Sequence, residues 1–511
     1  SSEFAPEFGD YEVVIRMPRG YTVVATGRLQ NPESVLSPIQ LKRWKKISAD
    51  STIFIISQQE ANASVEKDTI SWHFKAQNVR DFAFAASNQY IWEARHTLIP
   101  GNSSPTLLQA FYIAGVAPLW QHLAVATAEY TLHAYSRHTF PFPYPTMSVT
   151  YGGVFGMEYP MIVFCGRQKI ENGSYTEAAR QSFISLVIHE VGHNFFPMVV
   201  NSDERRWMWL DEGLNTYLEN LTKAFFEPML RENEEEAEYR RVRDYLASGY
   251  SQPILGHPHT IREVGANAYL KVAIGLEILR NDILTPSQMD TAFQRYACTW
   301  AFKHPEPWDF FRMISNSVSQ ELGWFWRGWF LEALPISISI DTVVQEKIEV
   351  EKKWKETLLT EEKLALQHYL RKLAQDTVER SFFISRYPAL KDKYVEKNLE
   401  VYRSRLRAHK EEFTRAREAY EKYLQSYEDL YEVRVRFRNQ GMIWPLRVRL
   451  TYANGARSVW YFPAEVWAKE PRVLVKVFYT RGPVKQVEID PGKVSLNSET
   501  RKNVYTLSGG D

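Results

Sequence analysis

Two histidines lie four residues apart in the segment His189-Glu190-Val-Gly-His193. On a helix, residues with this spacing share one face, with about 5–6 Å between their Cβ atoms. Two imidazoles at that separation can bind one metal ion through bonds of about 2.0–2.1 Å. Glu190 points about 100° around the helix from His189, so the same face does not present it as a third ligand. It is placed instead as the general base for a metal-activated water.

A third ligand is expected because a catalytic zinc ion takes three protein ligands and keeps one position open. Glu212 follows His193 by nineteen positions, an interval in which one helix can end and a second can pack beside it. Two histidines and one glutamate are also the ligands of thermolysin and carboxypeptidase. The competing metzincin pattern needs glycine at position 196 and histidine at position 199, where this chain has Phe196 and Val199. We therefore predict one Zn²⁺ per chain, bound by both histidines and Glu212, with Glu190 as the catalytic base.

The elements that must position these residues are indicated by the hydrophobic pattern. Leu186, Val187 and Ile188 precede the first histidine and predict a buried helix, and Pro197 indicates its end. Helical spacing dominates the whole segment from 105 to 335. We expect this segment to be the domain that carries the chemistry.

The remaining segments predict a multidomain α+β protein. Residues 1–98 contain alternating patterns such as that of 11–17, which predict half-buried strands. Residues 340–430 are rich in Glu, Lys and Arg at helical spacing and predict amphipathic helices with a solvated charged face. Residues 431–495 alternate again around an Asn454-Gly455 turn, which predicts a carboxyl-terminal antiparallel β-domain, most simply a β-sandwich.

Composition and charge argue against several classes of protein. The 511 residues carry a formal net charge of +1, so no global field steers nucleic acid toward the chain, and we expect no nucleic-acid partner. No uninterrupted apolar run reaches the roughly 18 residues of a membrane span. The two cysteines, Cys165 and Cys298, exclude a disulfide framework and a thiolate zinc site, although one bridge is compatible with the count. The sequence does not indicate an oligomeric state.

Upstream of the histidine pair, Gly156-Met157-Glu158-Tyr159-Pro160 resembles the Gly-x-Met-Glu-Asn motif of the gluzincin aminopeptidases, the family of aminopeptidase N. In that family the glutamate binds the free α-amino group of the substrate. The resemblance implies this role for Glu158, with Gly156 and Met157 in the substrate-binding segment. A carboxylate beside the metal can pair with an ammonium group and fix cleavage after the first residue. Tyr159 replaces the family's usual Asn, a variant typical of a bacterial branch.

A later segment, Tyr269-Leu270-Lys271, resembles the family's Tyr-x-Lys pattern, whose tyrosine donates to the tetrahedral oxyanion. The resemblance implies this role for Tyr269, with Tyr245 and Tyr250 as weaker candidates. It also implies a thermolysin-like catalytic domain and an amino-terminal β-domain that is only partial here, since the family's own is longer. We expect a second amine-binding residue in the missing part. We also expect an exported protein, periplasmic or secreted, with its signal removed. A cytoplasmic location stays an open alternative.

The residues and the resemblance together predict a zinc metallo-aminopeptidase that hydrolyses the first peptide bond of peptides with a free amino terminus. Two alternatives stay open. The same site would also suit a lipid epoxide, on which one relative acts, and a zinc-less scaffold would bind partners without catalysis. The complete set of two histidines and two glutamates argues against the scaffold. A third alternative, an adaptor acting through the helices of 340–430, rests only on a charged face.

Overall fold

The computed structural model describes residues 6–62, 64–166, 168, 170–426, 428–490, 495–499 and 502–507. Within these ranges the β-strands are, in chain order, β1 (Gly9–Pro18), β2 (Thr22–Ala25), β3 (Arg28–Leu29), β4 (Ile53–Ile56), β5 (Thr69–Val79), β6 (Phe84–Ser87), β7 (Ile91–Thr97), β8 (Thr106–Tyr112), β9 (Thr146–Tyr151), β10 (Gly156–Tyr159), β11 (Ile162–Cys165), β12 (Ile338–Ile348), β13 (Leu430–Asn439), β14 (Leu446–Tyr452), β15 (Arg457–Phe462), β16 (Val473–Thr480), β17 (Val484–Ile489) and β18 (Val504–Thr506).

The α-helices of the same ranges are α1 (Pro32–Val35), α2 (Pro38–Trp44), α3 (Ala117–Trp120), α4 (Leu123–His138), α5 (Glu177–Gly192), α6 (Leu214–Phe226), α7 (Leu230–Ala247), α8 (Val272–Ile278), α9 (Pro286–Trp300), α10 (Pro307–Ser317), α11 (Gly323–Phe325), α12 (Lys352–Leu358), α13 (Thr360–Asp376) and α14 (Lys393–Ser426). Wider, π-helical turns span Trp209–Gly213, Gly265–Lys271, Leu279–Ile283 and Trp326–Leu331.

The chain forms two compact units that interleave along the sequence. The first unit comprises Ser1–Arg231, Leu255–Glu321 and Phe382–Val395. The second comprises Glu232–Ile254, Leu322–Ser381 and Glu396–Asp511. The strands and helices confirm the predicted multidomain α+β class, with β-structure at both ends and helices between. The predicted domain boundaries at 98, 105–335, 340–430 and 431–495 stay predictions.

A six-stranded sheet, in the order β10-β11-β9-β8-β7-β4, runs through the first unit. β8 pairs parallel with β9, and β9 pairs parallel with β11. β8 is buried along its whole length, as expected for a strand that is covered on both faces. Among the strands of the described residues, β10 lies at the edge of the sheet and pairs with β11. Helix α5 packs between α4 and α6 and against β10 and β11, so this helix joins the edge strand to the helical layer.

The second unit contains two antiparallel sheets, in the orders β12-β13-β16 and β15-β14-β17-β18. In β13, Val433, Val435 and Phe437 are buried and alternate with exposed arginines. The Asn454-Gly455 turn joins β14 to β15, and the φ of +89° at Gly455 explains why glycine is suited to this position. The predicted antiparallel carboxyl-terminal β-structure is therefore confirmed.

Two segments depart from the predicted secondary structure. The segment 105–335, where helical spacing was expected to dominate, also contains strands β8 to β11. Residues 340–430 were expected to be helical throughout, yet they begin inside strand β12, which pairs with β13 along its whole length. Ile338, Ile340 and Val343 are buried on this strand, because pairing with a buried partner outweighs the high charge of the segment. The charged helices begin only at Lys352.

Two further expectations concern the membrane and the cysteines. Across the described residues, no helix has both the length and the apolar character that a membrane crossing requires. Cys165 is buried, Cys298 is exposed, and both are free thiols. The single bridge that the cysteine count allowed is not formed.

Candidate active site

Helix α5 positions three of the predicted site residues. Thr176 caps its first turn by accepting a hydrogen bond from the backbone N–H of Ala179, as N-cap residues do. The helix ends at Gly192, five residues before the proline that was expected to mark its end. His189 and Glu190 therefore lie in the last turn, and His193 lies at the cap.

Gly192 allows α6 to approach this last turn closely. A Cβ atom at Gly192 would lie 2.3 Å from both the side-chain oxygen of Asn215 and the hydroxyl of Tyr135. The Tyr135 hydroxyl donates to the Asn215 side chain at 2.9 Å, and the Asn215 side-chain amide donates to the carbonyl oxygen of His189 at 2.9 Å. Glycine at this position thus lets α6 contact α5 directly. The segment that carries Glu212 precedes α6 and is held close to α5 by the same contact.

Glu212 lies in the π-helical turn Trp209–Gly213, immediately before α6. Its Oε2 atom is 3.2 Å from His189 Nε2 and 3.4 Å from His193 Nε2, and the two nitrogens are 3.1 Å apart. Bonds of about 2.0–2.1 Å in a tetrahedron separate neighbouring ligand atoms by about 3.3 Å. The three atoms therefore have the mutual spacing that one zinc ion requires. The wider turn fits the frequent occurrence of π-helical turns at functional sites.

The second nitrogen of each histidine faces only acceptors. His189 Nδ1 is 3.0 Å from Oε2 of Glu219, and His193 Nδ1 is 2.9 Å from both the carbonyl oxygen of Phe196 and Oδ1 of Asp211. These contacts hold a proton on Nδ1 and leave the lone pair of Nε2 directed at the ligand cluster, as outer partners of metal-bound histidines do.

Glu219 and Asp211 were not predicted from the sequence. A signal existed for Glu219, since it follows Glu212 by seven residues and two helical turns place both on one face. Asp211 neighbours Glu212, but nothing in the local sequence indicates that it faces a histidine. Both carboxylates are buried.

The carboxylates make this pocket favourable for a cation. Although burial opposes it, the hydrogen bonds that His189 donates to Glu212 and Glu219 raise the pKa of His189 to about 10. Burial also opposes the rise at His193, where the charges of Glu158 and Asp211 hold the pKa well above its ordinary value. A field that favours imidazolium at both rings favours a bound divalent cation for the same reason. The donor set and its electrostatics therefore fit zinc.

Glu190 has the surroundings expected of a base. Its Oε2 atom is buried and has no hydrogen-bond partner among the described residues. Buried carboxylate oxygens rarely lack a partner, and a catalytic role is one explanation when they do. Burial, reinforced by the charges of Glu158 and Glu212, raises the pKa of Glu190 to about 8. Gly156 packs against its other oxygen, since a Cβ atom there would lie 2.1 Å from Glu190 Oε1.

The edge strand β10 carries Gly156, Met157 and Glu158, which the sequence predicted as substrate-binding residues. Glu158 is buried, and one of its oxygens lies in a group with ligand atoms of Glu190 and His193, all within 4.8 Å of one another. Gly156 contacts Glu190 as described, and Met157 pairs with Phe164 of β11. The structure therefore brings the predicted amine-site segment to the metal-ligand cluster.

Tyr269 lies in the π-helical turn Gly265–Lys271. Its hydroxyl donates a hydrogen bond to Oε1 of Glu212, and its ring stacks on His189 with centroids 6.0 Å apart and planes 15° apart. Burial and the adjacent Glu212 raise its pKa, so the phenol keeps its proton. A neutral hydroxyl beside the cluster can donate to an oxygen that develops negative charge.

His189, His193 and Glu212 form a group that could hold a metal ion, and two histidines with one glutamate are a donor set that suits zinc. Residues 124–329 match the peptidase family M1 domain, a segment that includes the histidine pair, Glu158, Glu212 and Tyr269.

Similar solved structures are distant in sequence. The M1 zinc metallopeptidase from Deinococcus radiodurans is 16% identical, with a TM-score of 0.44, over 63% of this chain and 64% of that chain. A mutant M1 zinc metallopeptidase from the same organism, bound to a Tyr-Ser-Ala substrate, is 16% identical with a TM-score of 0.42 and the same coverage. The present chain thus spans less than two-thirds of the length of these neighbours. No curated protein sequence matches it significantly.

Proposed function

We propose that this protein is a zinc-dependent aminopeptidase, with one zinc ion per chain, acting on peptides that have a free amino terminus. One observation carries the proposal, namely the buried carboxylate of Glu158 in the same group as Glu190 and His193. His189, His193 and Glu212 already supply three zinc ligands, so a further carboxylate is not needed for the metal. It is the group that an ammonium requires when it is held close to the bond being cleaved.

The proposed reaction assigns the proton transfers to Glu190. His189, His193 and Glu212 would hold the zinc ion, which would supply Lewis-acid chemistry toward the first peptide carbonyl and the attacking water. Glu190 Oε2, which has no hydrogen-bond partner among the described residues, accepts the proton of the attacking water and passes it to the leaving amine nitrogen. Burial raises the pKa of Glu190 above the usual carboxyl range, which makes this carboxylate a stronger proton acceptor.

The remaining residues hold the substrate in place. Glu158 pairs with the α-ammonium group and so fixes the first peptide bond opposite Glu190. The hydroxyl of Tyr269 turns from Glu212 to the carbonyl oxygen as that oxygen becomes negative. Cleavage after the first residue follows from the position of Glu158, since a peptide chain that continued past this carboxylate would bury it without an ammonium partner.

A matched substrate pair tests the proposal. Amino-acid p-nitroanilides are assayed beside their N-acetylated forms, with Glu190→Gln and a zinc chelator as controls. We expect release from the free-amine substrates alone, abolished by either control. Glu158→Gln should weaken this preference mainly through a higher KM, because it removes the charge that binds the ammonium group.

Two results would contradict the proposal. Equal release from free and acetylated substrates would show that no ammonium is recognised. No release from any member of the panel, with zinc measured in the protein, would show that the site serves another reaction.

A further inference from the structure

A two-residue turn, Pro160-Met161, joins β10 to β11. Met161 is buried and has a φ of +65°. Proline followed by a positive φ is the pattern of a type II turn, whose second central position is usually glycine or asparagine. A methionine in this left-handed conformation is strained, and type II turns fit the twist of a two-residue hairpin poorly. The turn therefore depends on contacts from outside the hairpin.

Asn194 provides such a contact from the side of the metal-ligand cluster. It follows His193 directly in the chain, and its side chain is fully buried. Its Oδ1 atom accepts a hydrogen bond from the backbone N–H of Met161 at 2.8 Å, and its side-chain amide donates to the carbonyl oxygen of Tyr159 at 3.4 Å. The carbonyl oxygen of Met161 accepts a hydrogen bond from the N–H of Ser148 on β9 at 2.9 Å. Both polar backbone groups of the strained residue are therefore held.

The position of this turn determines where Glu158 lies, because one residue separates them on β10. The other end of this four-residue strand is fixed by the close contact between Gly156 and Oε1 of Glu190. Glu158, Glu190 and His193 have atoms within 4.8 Å of one another, so a displacement of about 1 Å in the hairpin changes this group substantially. Asn194 thus connects the metal ligand beside it to the predicted amine-site carboxylate.

We propose that Asn194 is a positioning residue, which holds Glu158 at the distance from Glu190 and His193 that recognition of the α-ammonium group requires. The inference rests on the proposed function and deepens it, since it assigns the residue that aligns the amine site with the metal site. Asn194 acts through the backbone of the hairpin and not by contact with the reacting atoms. Its loss should therefore weaken the pairing of the ammonium group with Glu158 more than the binding of groups that reach the metal.

The first measurement compares two metal-binding ligands that differ in the ammonium group. Alanine hydroxamate carries this group and propanohydroxamate lacks it, while the hydroxamate of each binds the zinc. Calorimetry on the full-length, zinc-loaded wild type should show the amino compound binding about 10–100-fold more tightly, because hydrogen bonds to charged groups contribute by that factor. Asn194→Leu, which keeps a similar volume and removes both hydrogen bonds, should reduce this ratio about tenfold and leave the affinity for propanohydroxamate nearly unchanged.

Two further variants separate positioning from packing. Asn194→Asp keeps an oxygen acceptor for the N–H of Met161 and should recover most of the ratio. If Asn194→Leu does not fold, Asn194→Ala removes the same hydrogen bonds without added apolar bulk and takes its place. An aspartate variant that loses as much of the ratio as Asn194→Leu would assign the loss to packing and overturn the proposal.

Asn439→Leu is the matched control in the second unit. Asn439 is buried at the end of β13, accepts a hydrogen bond from the N–H of Gly441 at 3.0 Å and donates to the carbonyl oxygen of Met442 at 3.3 Å. It therefore supports a bend of the backbone by the same kind of contact. Its loss should lower the melting temperature and leave the ratio of the two affinities unchanged.

Hydrogen exchange, followed by mass spectrometry without any ligand, tests the contact itself. The peptide that covers 156–165 should exchange faster in Asn194→Leu than in the wild type, because the N–H of Met161 loses its acceptor. Asn439→Leu should leave the exchange of this peptide unchanged. Equal exchange in the wild type and Asn194→Leu would overturn the proposal.

The two possible failures are distinguishable. A wild type that binds both hydroxamates equally would reject ammonium recognition, and the proposed function with it, even where the exchange result identifies Asn194 as the anchor of the hairpin. A wild type that prefers the amino compound, with the full preference kept in Asn194→Leu, would leave the proposed function in place and reject the inference alone.

Discussion

Two buried glutamates, Glu190 in the first unit and Glu362 in the second, have similar exposure and opposite surroundings. Glu362 accepts hydrogen bonds from the hydroxyl of Tyr423 at 2.7 Å, from the backbone N–H of Arg481 at 3.1 Å and from Nε of Arg481 at 3.2 Å. Both of its oxygens are satisfied. Glu190 keeps one buried oxygen for which the described residues provide no hydrogen-bond partner.

The difference separates a carboxylate that supports the fold from one that is kept for a reaction. Burying a carboxylate costs free energy unless hydrogen bonds and charges compensate it. Glu362 is compensated by its own unit, so its removal should weaken the fold. Glu190 is compensated only when a partner from outside the chain is present, so its removal should weaken the reaction.

The largest expected effect comes from changing each glutamate to its neutral isostere. Glu190→Gln should lower kcat on a free-amine p-nitroanilide by about 10²–10⁴-fold, because the proton acceptor is lost, while the melting temperature stays unchanged or rises. Glu362→Gln should lower the melting temperature and leave kcat within about twofold, since it removes the charge that pairs with Arg481. Activity assays and thermal melts on both variants check this. A large loss of activity in Glu362→Gln would remove the distinction.

The next effect concerns the packing that presents Glu190. Gly156→Ala places a Cβ atom where Glu190 Oε1 now lies, at a separation of 2.1 Å. We expect kcat to fall by about 10²-fold, because a base displaced by about 1 Å no longer reaches the reacting atoms. Zinc content should not change.

Gly153→Ala is the matched control, since a Cβ atom at Gly153 meets nothing within 4 Å. Both variants are assayed for kcat and for bound zinc. Similar losses in the two variants would mean that general loosening of the β10 segment, and not contact with the base, explains the effect.

A smaller effect should follow from the outer partner of a ligand. Glu219→Gln weakens the acceptor that holds the proton on His189 Nδ1, so zinc affinity should fall by about 10–100-fold. Competition with a chelator measures this. Glu227→Gln is the matched control. It breaks a buried ion pair with Arg180, which lies on α5 as His189 does, and it should lower stability without a comparable change in zinc affinity. Equal losses of affinity would assign Glu219 to the general support of α5.

The local part of the site was predictable from the sequence, and the part made by tertiary packing was not. The four-residue spacing of His189 and His193 needs only a helix, and the structure provides one. The contact between Asp211 and His193 and the contact between Gly156 and Glu190 depend on how the turn before α6 and strand β10 approach α5. No local pattern encodes these approaches.

The fold shows the same division. Alternation predicted β1 and β13, and the Asn454-Gly455 turn predicted a hairpin, because each signal lies within one element. The start of the charged segment at 340 was expected to be helical because its charge resembles a solvated helix, yet pairing with β13 makes it a strand. Composition alone does not identify strand-pairing partners that lie far apart in the chain.

The smallest expected effect extends the comparison to a third buried carboxylate, Glu93 of β7. It accepts hydrogen bonds from the hydroxyl of Tyr112 at 3.0 Å and from the backbone N–H of His122 at 2.9 Å. Burial nevertheless raises its pKa from 4.5 to about 7. Below pH 4.5 the carboxyl is protonated in both the folded and the unfolded chain. Between pH 4.5 and about 7 only the folded chain keeps the proton, so stability falls as the pH rises.

Glu93→Gln removes this titration, so the wild type should lose melting temperature relative to the variant as the pH rises from 5 to 8. The pKa change corresponds to at most about 3 kcal/mol, or a relative shift of a few degrees in a chain of this length. Melts at both pH values measure it, with the exposed Glu33→Gln as control. A constant difference between wild type and variant would show that Glu93 is ionised in the folded chain. Hydrogen bonds would then offset the cost of burying its charge, as they do for Glu362. Activity at a fixed pH should not change, because Glu93 holds a helix start and touches none of the reacting groups.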